Sequence, residues 1–172
     1  MTWLSWAALA TAAFLAMEPL TALAHRVVFH GPGMVLHRSH HRPPHVGVEA
    51  NDAFPLLIAS ATVAVIALGT SVGSLGWLVP IGAGVTAYGA CYATVHDLYI
   101  HRRLALLPER VAWLEPLRRA HELHHRYGGG PYGMLVPIVP MALRGGRTTA
   151  IDRPTTASLR GNGTRARRVK TS

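Results

Sequence analysis

The stretch between Asp52 and His96 constrains this chain most, because its 43 residues include no Asp, Glu, Lys or Arg. One membrane-spanning helix needs about 20 apolar residues, so two such helices fit into the stretch. We predict helices over 53–72 and 75–95, joined by a glycine-containing turn. A soluble domain of this size could not cover so much uninterrupted apolar surface. Small residues in the predicted helix over 75–95, the third apolar span in chain order, predict close helix packing. They are Gly82, Gly84 and Gly89.

A third apolar segment lies at the start of the chain. Residues 1–17 carry no charge, and together with 19–24 they are long enough to cross a bilayer. A cleaved signal peptide is the alternative, because the Ala-Leu-Ala sequence at 22–24 has the form of a cleavage site. We favour the membrane helix, because no Lys or Arg precedes the apolar part. Glu18 is the one charge in this segment, and it lies two helical turns before His25.

Ten of the eleven histidines form a pattern that occurs twice, HxxxxH followed by HxxHH. On a helix, the three histidines of HxxHH lie on one face about a turn apart. Those of HxxxxH are separated by about 140°, so their rings can meet only where the helix ends, bulges or bends. The first copy is His25, His30, His37, His40 and His41, and the second is His96, His101, His121, His124 and His125. His45 belongs to neither copy.

This repeat predicts a metal site built from imidazole. Cys91 is the only cysteine, which excludes a cysteine-based zinc or iron–sulfur site. Imidazole suits iron, copper, zinc and nickel, so ligand type leaves the metal open. Ten imidazoles are too many for one ion and about right for two, which predicts a dimetal centre. Glu18 and Asp97, which adjoins His96, are candidates to orient ligand rings.

The two membrane crossings return the chain to the side it left, so both copies of the histidine pattern emerge on one face. The loops 25–52 and 96–126 hold nine arginines, which predicts that this face is cytoplasmic. We therefore predict an all-α fold, an integral membrane helical bundle of about three transmembrane helices with a cytoplasmic histidine-rich dimetal cap. Residues 102–120 predict a helix that leads into the second HxxHH. The apolar segment 132–143 is too short to span, so it re-enters the interface as a fourth short membrane segment or packs on the bundle.

The formal net charge of +9 is concentrated at the end of the chain. Residues 144–172 contain eight basic residues and one acidic residue, whereas 1–143 contain nine and seven. The body of the protein therefore lacks the basic groove of a nucleic-acid binder. We expect a membrane domain over 1–143 and a disordered basic tail over 144–172.

These motifs resemble those of a known family, the bacterial non-haem β-carotene hydroxylases of the membrane fatty-acid hydroxylase and sterol desaturase superfamily. The histidine pattern is shared across the superfamily, whereas the short length, Glu18, Asn51–Asp52 and the glycine-rich third span resemble the carotenoid branch. The matching motifs are Ala24–His25, His30–Gly31, His37-x-Ser39–His40–His41, Asn51–Asp52, the run from Ile81 to Gly89, Val95–His96–Asp97 with His101, and Ala120–His121-x-x-His124–His125. The chain departs from the family at Met34–Val35–Leu36, which replaces a Trp-rich stretch, and at Arg126.

The resemblance implies O2-dependent hydroxylation of β-ionone rings, from β-carotene through β-cryptoxanthin to zeaxanthin, in a bacterial inner membrane. It implies two iron ions held by the ten histidines, O2 as co-substrate and electrons from reduced ferredoxin. Because ferredoxin is acidic, four arginines are candidates for its docking patch, with anchoring of the membrane helices as their alternative role. They are Arg102, Arg103, Arg118 and Arg119.

Two other functions remain open on the sequence. The first is a related membrane di-iron enzyme that acts on another lipid, such as a carotenoid ketolase, a desaturase, or a fatty-acid or sterol hydroxylase. The second is a non-enzymatic membrane metal-binding protein. That function predicts metal-binding groups inside the spans, whereas every histidine here lies outside the apolar runs.

Overall fold

The structure, a computed structural model, describes residues 2–42 and 47–143. The helices are α1 (Trp3–Ala24), α2 (Met34–His37), α3 (Ala53–Ser71), α4 (Leu78–Ala93) and α5 (Glu115–Tyr127). Two π-helical turns extend α1 and α4, at His25–Phe29 and Thr94–Ile100, and 3₁₀ turns lie at Ala50–Asp52, Gly73–Leu75 and Met141–Leu143. No β-strand occurs in these described ranges, which confirms the all-α prediction.

The described residues up to Pro140 belong to one compact unit, and the short turn Met141–Leu143 falls in a separate one. The predicted basic tail over 144–172 and His45 both lie outside the described residues. The predicted domain boundary therefore stays a prediction.

Three helical segments are long and apolar enough to cross a membrane, which confirms the predicted number of spans. They are Trp3–Phe29, Ala50–Ser71 and Leu78–Ile100. The first two expose large apolar side chains on their outer faces, for example Leu15 at 64 % and Leu56 at 69 %. Such surfaces suit lipid rather than water, because helices satisfy their own backbone hydrogen bonds and leave apolar side chains to face the acyl chains.

Helix α4 packs against both α1 and α3. The approach is close at two of the three predicted glycines. A Cβ atom on Gly84 would lie 2.2 Å from the Ala10 carbonyl oxygen of α1, and one on Gly82 would lie 2.4 Å from the Ile66 side chain of α3. Gly89 has open space beside it, so the prediction of close packing is wrong there. This arrangement brings the C-terminal ends of α1 and α4 and the N-terminal end of α3 to one face of the bundle.

The predicted helix over 102–120 is wrong in its first part, because α5 begins only at Glu115. Pro108 has no N–H to donate and disfavours helical backbone at the residue before it. The segment instead packs around Tyr99, whose hydroxyl donates to Glu115 and accepts from the backbone N–H of Val111. With Val95, Leu114 and Met134, Tyr99 forms a small buried core beneath the histidine-rich cap.

Candidate metal centre

The two HxxxxH pairs meet because each lies on a π-helical turn. The backbone N–H of His30 donates to the carbonyl of His25 at 3.0 Å, and that of His101 donates to the carbonyl of His96 at 2.9 Å. These i to i+5 hydrogen bonds define a π-helix, which adds one residue to the turn. The two rings of each pair consequently lie with centroids 5.1 Å and 4.6 Å apart. The expected local bulge is therefore what brings each pair together.

The two HxxHH motifs reach the site in different ways. His121, His124 and His125 lie on α5, as the helical spacing predicts. The first motif is helical only up to His37, where α2 ends, and the chain continues to His41 through turns. Only the second HxxHH motif therefore has all three of its histidines on a helix.

The histidines gather into two clusters of nitrogen atoms. The first cluster is His25, His30, His37, His41 and His124, and the second is His40, His96, His101 and His121. Within each cluster the candidate ligand atoms lie within 4.8 Å of one another. His125 adjoins the second cluster, with its Nε2 atom 3.2 Å from that of His40. Each cluster therefore takes most of its members from one copy of the repeat and one member from the other copy.

The Nε2 atoms within each cluster are spaced as metal ligands are. In the first cluster, His25 and His37 have their Nε2 atoms 3.1 Å apart. In the second cluster, the Nε2 atoms of His101 and His121 are 2.9 Å apart. A metal–nitrogen bond of about 2.1 Å places two ligands at right angles ~3.0 Å apart. The donor set and its spacing therefore fit first-row metal ions, for which imidazole is a suitable ligand.

Oxygen atoms behind the rings orient four of these histidines by hydrogen bonds, and a fifth histidine lies near a carboxylate. His37 Nδ1 donates to the Asn51 side-chain oxygen at 2.7 Å, and His96 Nδ1 donates to Asp97 at 2.8 Å. Two backbone carbonyls accept from His25 and His124, those of Tyr132 at 3.2 Å and Gly129 at 2.6 Å, and His40 Nδ1 lies 3.5 Å from Glu49. A proton held on Nδ1 leaves the Nε2 lone pair free to bind a metal.

Sequence reasoning assigned no role to two of the side chains beside these rings, Glu49 and Asn51. Both lie in the short polar segment before α3, and that position was a usable signal. The carbonyls of Gly129 and Tyr132 carried no such signal, because every residue has a backbone carbonyl. Only the fold brings those two oxygen atoms to the rings.

Burial lowers the pKa of eight histidines of the cap below the ordinary value of 6.5, so these eight rings are neutral at pH 7. Burial, reinforced by the neighbouring imidazole of His96, lowers the pKa of His101 to about 2. Burial also lowers the pKa of His37 and that of His124 to about 4. Burial lowers the pKa in the same direction for His30, His40, His41, His121 and His125. Neutral imidazole is the form that binds a metal ion.

The two carboxylates predicted to orient ligand rings, Glu18 and Asp97, differ in their hydrogen-bond partners. Asp97 contacts His96, whereas the Glu18 carboxylate receives a 2.8 Å hydrogen bond from the Tyr88 hydroxyl and others from backbone N–H groups of 134–136. Among the described residues Glu18 has no hydrogen bond to a histidine, so the predicted direct contact is absent. Residues 134–136 of the apolar segment after α5 thus pack on the bundle, which was one of the two predicted alternatives.

The four arginines predicted to dock ferredoxin differ in whether their guanidinium groups are held in ion pairs. Arg103 makes a bidentate ion pair with Asp52, in which the Nη1–Oδ1 and Nη2–Oδ2 distances are both 2.6 Å. Arg118 forms ion pairs with Glu115 and with Glu122. The Arg102 guanidinium lies 3.3 Å from two carbonyls of its own loop. Arg119 is exposed on α5. Two of the four side chains are therefore engaged in ion pairs inside the cap.

A cavity of about 380 Å³ lies among α1, α3 and α4 and ends at the histidine cap. Most of its wall is apolar, and Phe29 and Phe54 stack there with ring centroids 4.0 Å apart. At one end the wall includes His96 and Asp97. Val63, also in the wall, is 67 % exposed, so the cavity borders the outer surface of the membrane-spanning helices.

The chain belongs to the fatty acid hydroxylase family, whose model matches residues 10–143. This family and the buried histidine clusters define a membrane hydroxylase, an oxidoreductase. The chain is 37 % identical to a β-carotene hydroxylase of Pseudescherichia vulneris, over 84 % of this chain and 89 % of the relative. It is 38 % identical to one of Pantoea ananas, over 75 % and 73 % of the two chains. A chloroplastic β-carotene hydroxylase of Capsicum annuum is 34 % identical, over 75 % of this chain and 42 % of its own length. No solved structure matches the chain.

Proposed function

We propose that this protein is a β-carotene 3-hydroxylase that converts β-carotene through β-cryptoxanthin to zeaxanthin. The observation that carries the proposal is the apolar cavity among the membrane-spanning helices, which ends at His96 of the second histidine cluster. A long, water-insoluble substrate can enter such a cavity sideways from the bilayer. The β-carotene hydroxylases among the relatives support this choice of substrate.

We propose two iron ions as the metals, one in each histidine cluster, with O2 as co-substrate. Iron, when bound, supplies the change of oxidation state that activation of O2 requires, which zinc cannot supply. The neutral, buried imidazoles support this assignment, because a site without thiolates selects metals that accept nitrogen ligands. Asp97 and Asn51 hold their histidines in the tautomer that directs Nε2 toward the metal.

The side chains of the cavity wall bind and orient the substrate. Phe29 and Phe54 offer flat apolar surfaces against which a β-ionone ring can pack. The apolar lining favours a hydrocarbon ring over water, and the polar side chains of the wall, Asn51, Asp52 and Asp97, lie near His96. These contacts hold one ring next to the metal centre, and the polyene chain extends away from it between the helices.

We further propose that the protein lies in the inner membrane of a bacterium with the histidine cap in the cytoplasm. The nine arginines of the loops that carry the cap support this orientation. Reduced ferredoxin is the proposed electron donor. Among the four candidate arginines, Arg119 and Arg102 are the proposed docking residues, because Arg103 and Arg118 are held in ion pairs. The hydroxylase domain is proposed to span 1–143, followed by a basic tail over 144–172.

Pigment analysis of β-carotene-accumulating bacteria tests the function. Cells that express this chain should contain β-cryptoxanthin and zeaxanthin, and cells that express His124→Ala should retain β-carotene. His45→Ala is the matched control, since this histidine lies outside both motifs. Ketone products would instead assign the chain to the related enzymes that modify other positions or lipids. Unchanged β-carotene in cells with iron-loaded protein and a working donor would contradict the proposed substrate.

A further inference from the structure

We propose that Glu18 is a positioning residue for the first histidine cluster. It acts through the segment 129–136, which it holds against α1 so that two carbonyls of this segment orient His25 and His124. The inference rests on the proposed function, because it assumes that the first cluster binds a metal ion.

Glu18 anchors the segment through an unusual number of donors. Its carboxylate accepts from the backbone N–H groups of Met134 at 2.9 Å, Leu135 at 3.1 Å and Val136 at 2.8 Å, and also from the Tyr88 hydroxyl. Three successive N–H groups that converge on one anion form a backbone nest. A carboxylate within a membrane-spanning helix is costly unless it is partnered, and these donors are the partners it needs.

The close approach of the segment depends on a glycine. A Cβ atom on Gly133 would lie 2.7 Å from Glu18 Oε1 and 3.2 Å from the carbonyl oxygen of Val136. A side chain at this position would therefore displace the carboxylate or the segment and disrupt the hydrogen bonds between them. Glu18 on α1 therefore supplies the carboxylate, and the missing side chain of Gly133 leaves the room that the carboxylate occupies.

The anchored segment contacts the first cluster at three points. The carbonyl of Tyr132 accepts from His25 Nδ1, and that of Gly129 accepts from His124 Nδ1. The Tyr132 ring lies with its centroid 5.5 Å from that of His30. Release of the segment would free the His25 and His124 rings to rotate, and their Nε2 atoms would no longer converge.

The second cluster has other supports. His96 is oriented by Asp97, and His40 lies beside Glu49. Within the described ranges, no hydrogen bond joins 129–136 to a histidine of the second cluster. Loss of the Glu18 anchor should therefore weaken one metal site and spare the other. A general loss of folding would weaken both.

Metal titration separates these outcomes. The full-length chain is purified in detergent, stripped of metal and titrated with Co²⁺, whose absorption reports the ligand set. The wild type should bind two ions. Glu18→Gln and Gly133→Ala should each retain one site and weaken the other by about tenfold or more, the range seen when groups that orient metal ligands are removed. Glu109→Gln, an exposed carboxylate, and Gly73→Ala, a glycine with open space beside it, are the matched controls and should bind two ions.

Double variants identify the weakened site. Glu18→Gln should add little to His25→Ala, because both act on the first cluster, whereas in His101→Ala it should remove most of the remaining binding. Two unaltered sites in both Glu18→Gln and Gly133→Ala would overturn the inference and leave the dimetal proposal standing. Equal weakening of both sites would also overturn it. A wild-type chain that binds fewer than two ions would overturn the dimetal proposal, and the inference with it.

Discussion

The Nε2 atoms of His40 and His96 lie 3.0 Å apart, although 56 residues separate the two histidines in the chain. His40 belongs to the first copy of the repeat, but its ring lies among the histidines of the second copy. Conversely, His124 belongs to the second copy but lies in the first cluster, where its Nε2 atom is 3.1 Å from that of His30. Each cluster is therefore completed by the other half of the chain, so neither copy of the repeat can form its cluster alone.

This crossing predicts which metal each histidine variant loses. We expect His41→Ala to weaken the first cluster and His40→Ala to weaken the second, although the two residues are adjacent in sequence. Each variant should retain about one of two metal ions, because the other cluster keeps all its nitrogen ligands. Metal analysis of each variant and of the combination His40→Ala with His96→Ala checks the assignment. If His40→Ala combined with His96→Ala lost far more metal than either single change, the two residues would not share a cluster.

The cavity predicts a separation between catalysis and metal binding. Ala59 lines the cavity on α3, whereas Ala61 lies on the same helix outside its lining. Ala59→Phe should fill the passage for the polyene chain and reduce hydroxylation by about tenfold or more, with two metal ions still bound. Ala61→Phe is the control and should retain activity. Measurement of product formation beside metal content distinguishes the two effects. Equal activity of both variants would mean that the substrate takes another path.

The ion pair between Arg103 and Asp52 predicts a contribution to stability. It joins the loop after the second π-helical turn to the start of α3, with side chains that are 24 % and 27 % exposed. Arg103→Met should lower the free energy of unfolding by about 1–2 kcal/mol, since partial exposure to solvent screens the charges. Denaturant unfolding in detergent measures this loss, with the exposed Arg38→Met as control. In an Asp52→Asn background the same change should cost much less, and an equal cost would exclude a direct coupling.

The buried histidines predict acid sensitivity of the metal-free protein. The pKa values of His37 and His124 lie near 4 in the folded protein, below the 6.5 of an exposed histidine. The unfolded chain therefore binds more protons as the pH falls below 6.5, and these two histidines lower the stability until the pH reaches about 4. His101, with a folded pKa of about 2, continues the decline below pH 4. Each histidine contributes a slope of at most about 1.4 kcal/mol per pH unit. Unfolding curves between pH 8 and 4 test this, and His37→Gln should give a shallower decline. Stability that increases on acidification would contradict the burial of neutral rings.

The proposed docking of ferredoxin at Arg119 predicts a change in the KM for ferredoxin but not in the KM for the carotenoid. Arg119→Glu should raise the KM for reduced ferredoxin several-fold and leave the KM for the carotenoid unchanged, because an exposed charge acts mainly on the encounter with an oppositely charged partner. Arg26→Glu, which reverses another exposed arginine, is the control. The effect should diminish as salt is added. Equal KM values for ferredoxin in both variants and the wild type would exclude Arg119 from the docking site.

Much of the membrane architecture could be predicted from local sequence. The long run without charge between Asp52 and His96 required two spans, because hydropathy sums over adjacent residues and needs no knowledge of distant contacts. The helical HxxHH at the end of α5 followed from spacing alone. The 102–114 segment was predicted incorrectly, because a helical propensity was overridden by Pro108 and by contacts of Val111 and Glu115 with the buried Tyr99.

Tertiary structure alone decided how the histidines divide. The sequence by itself determined that ten imidazoles come in two ordered copies on one side of a membrane hairpin. It could not determine that His40 and His124 exchange clusters, because that exchange depends on turns and packing between segments far apart in the chain. The same holds for Glu18, which the spacing pointed toward His25 but which binds backbone N–H groups more than 110 residues away. Backbone donors and acceptors are present at every residue, so only the folded chain selects which of them a side chain meets.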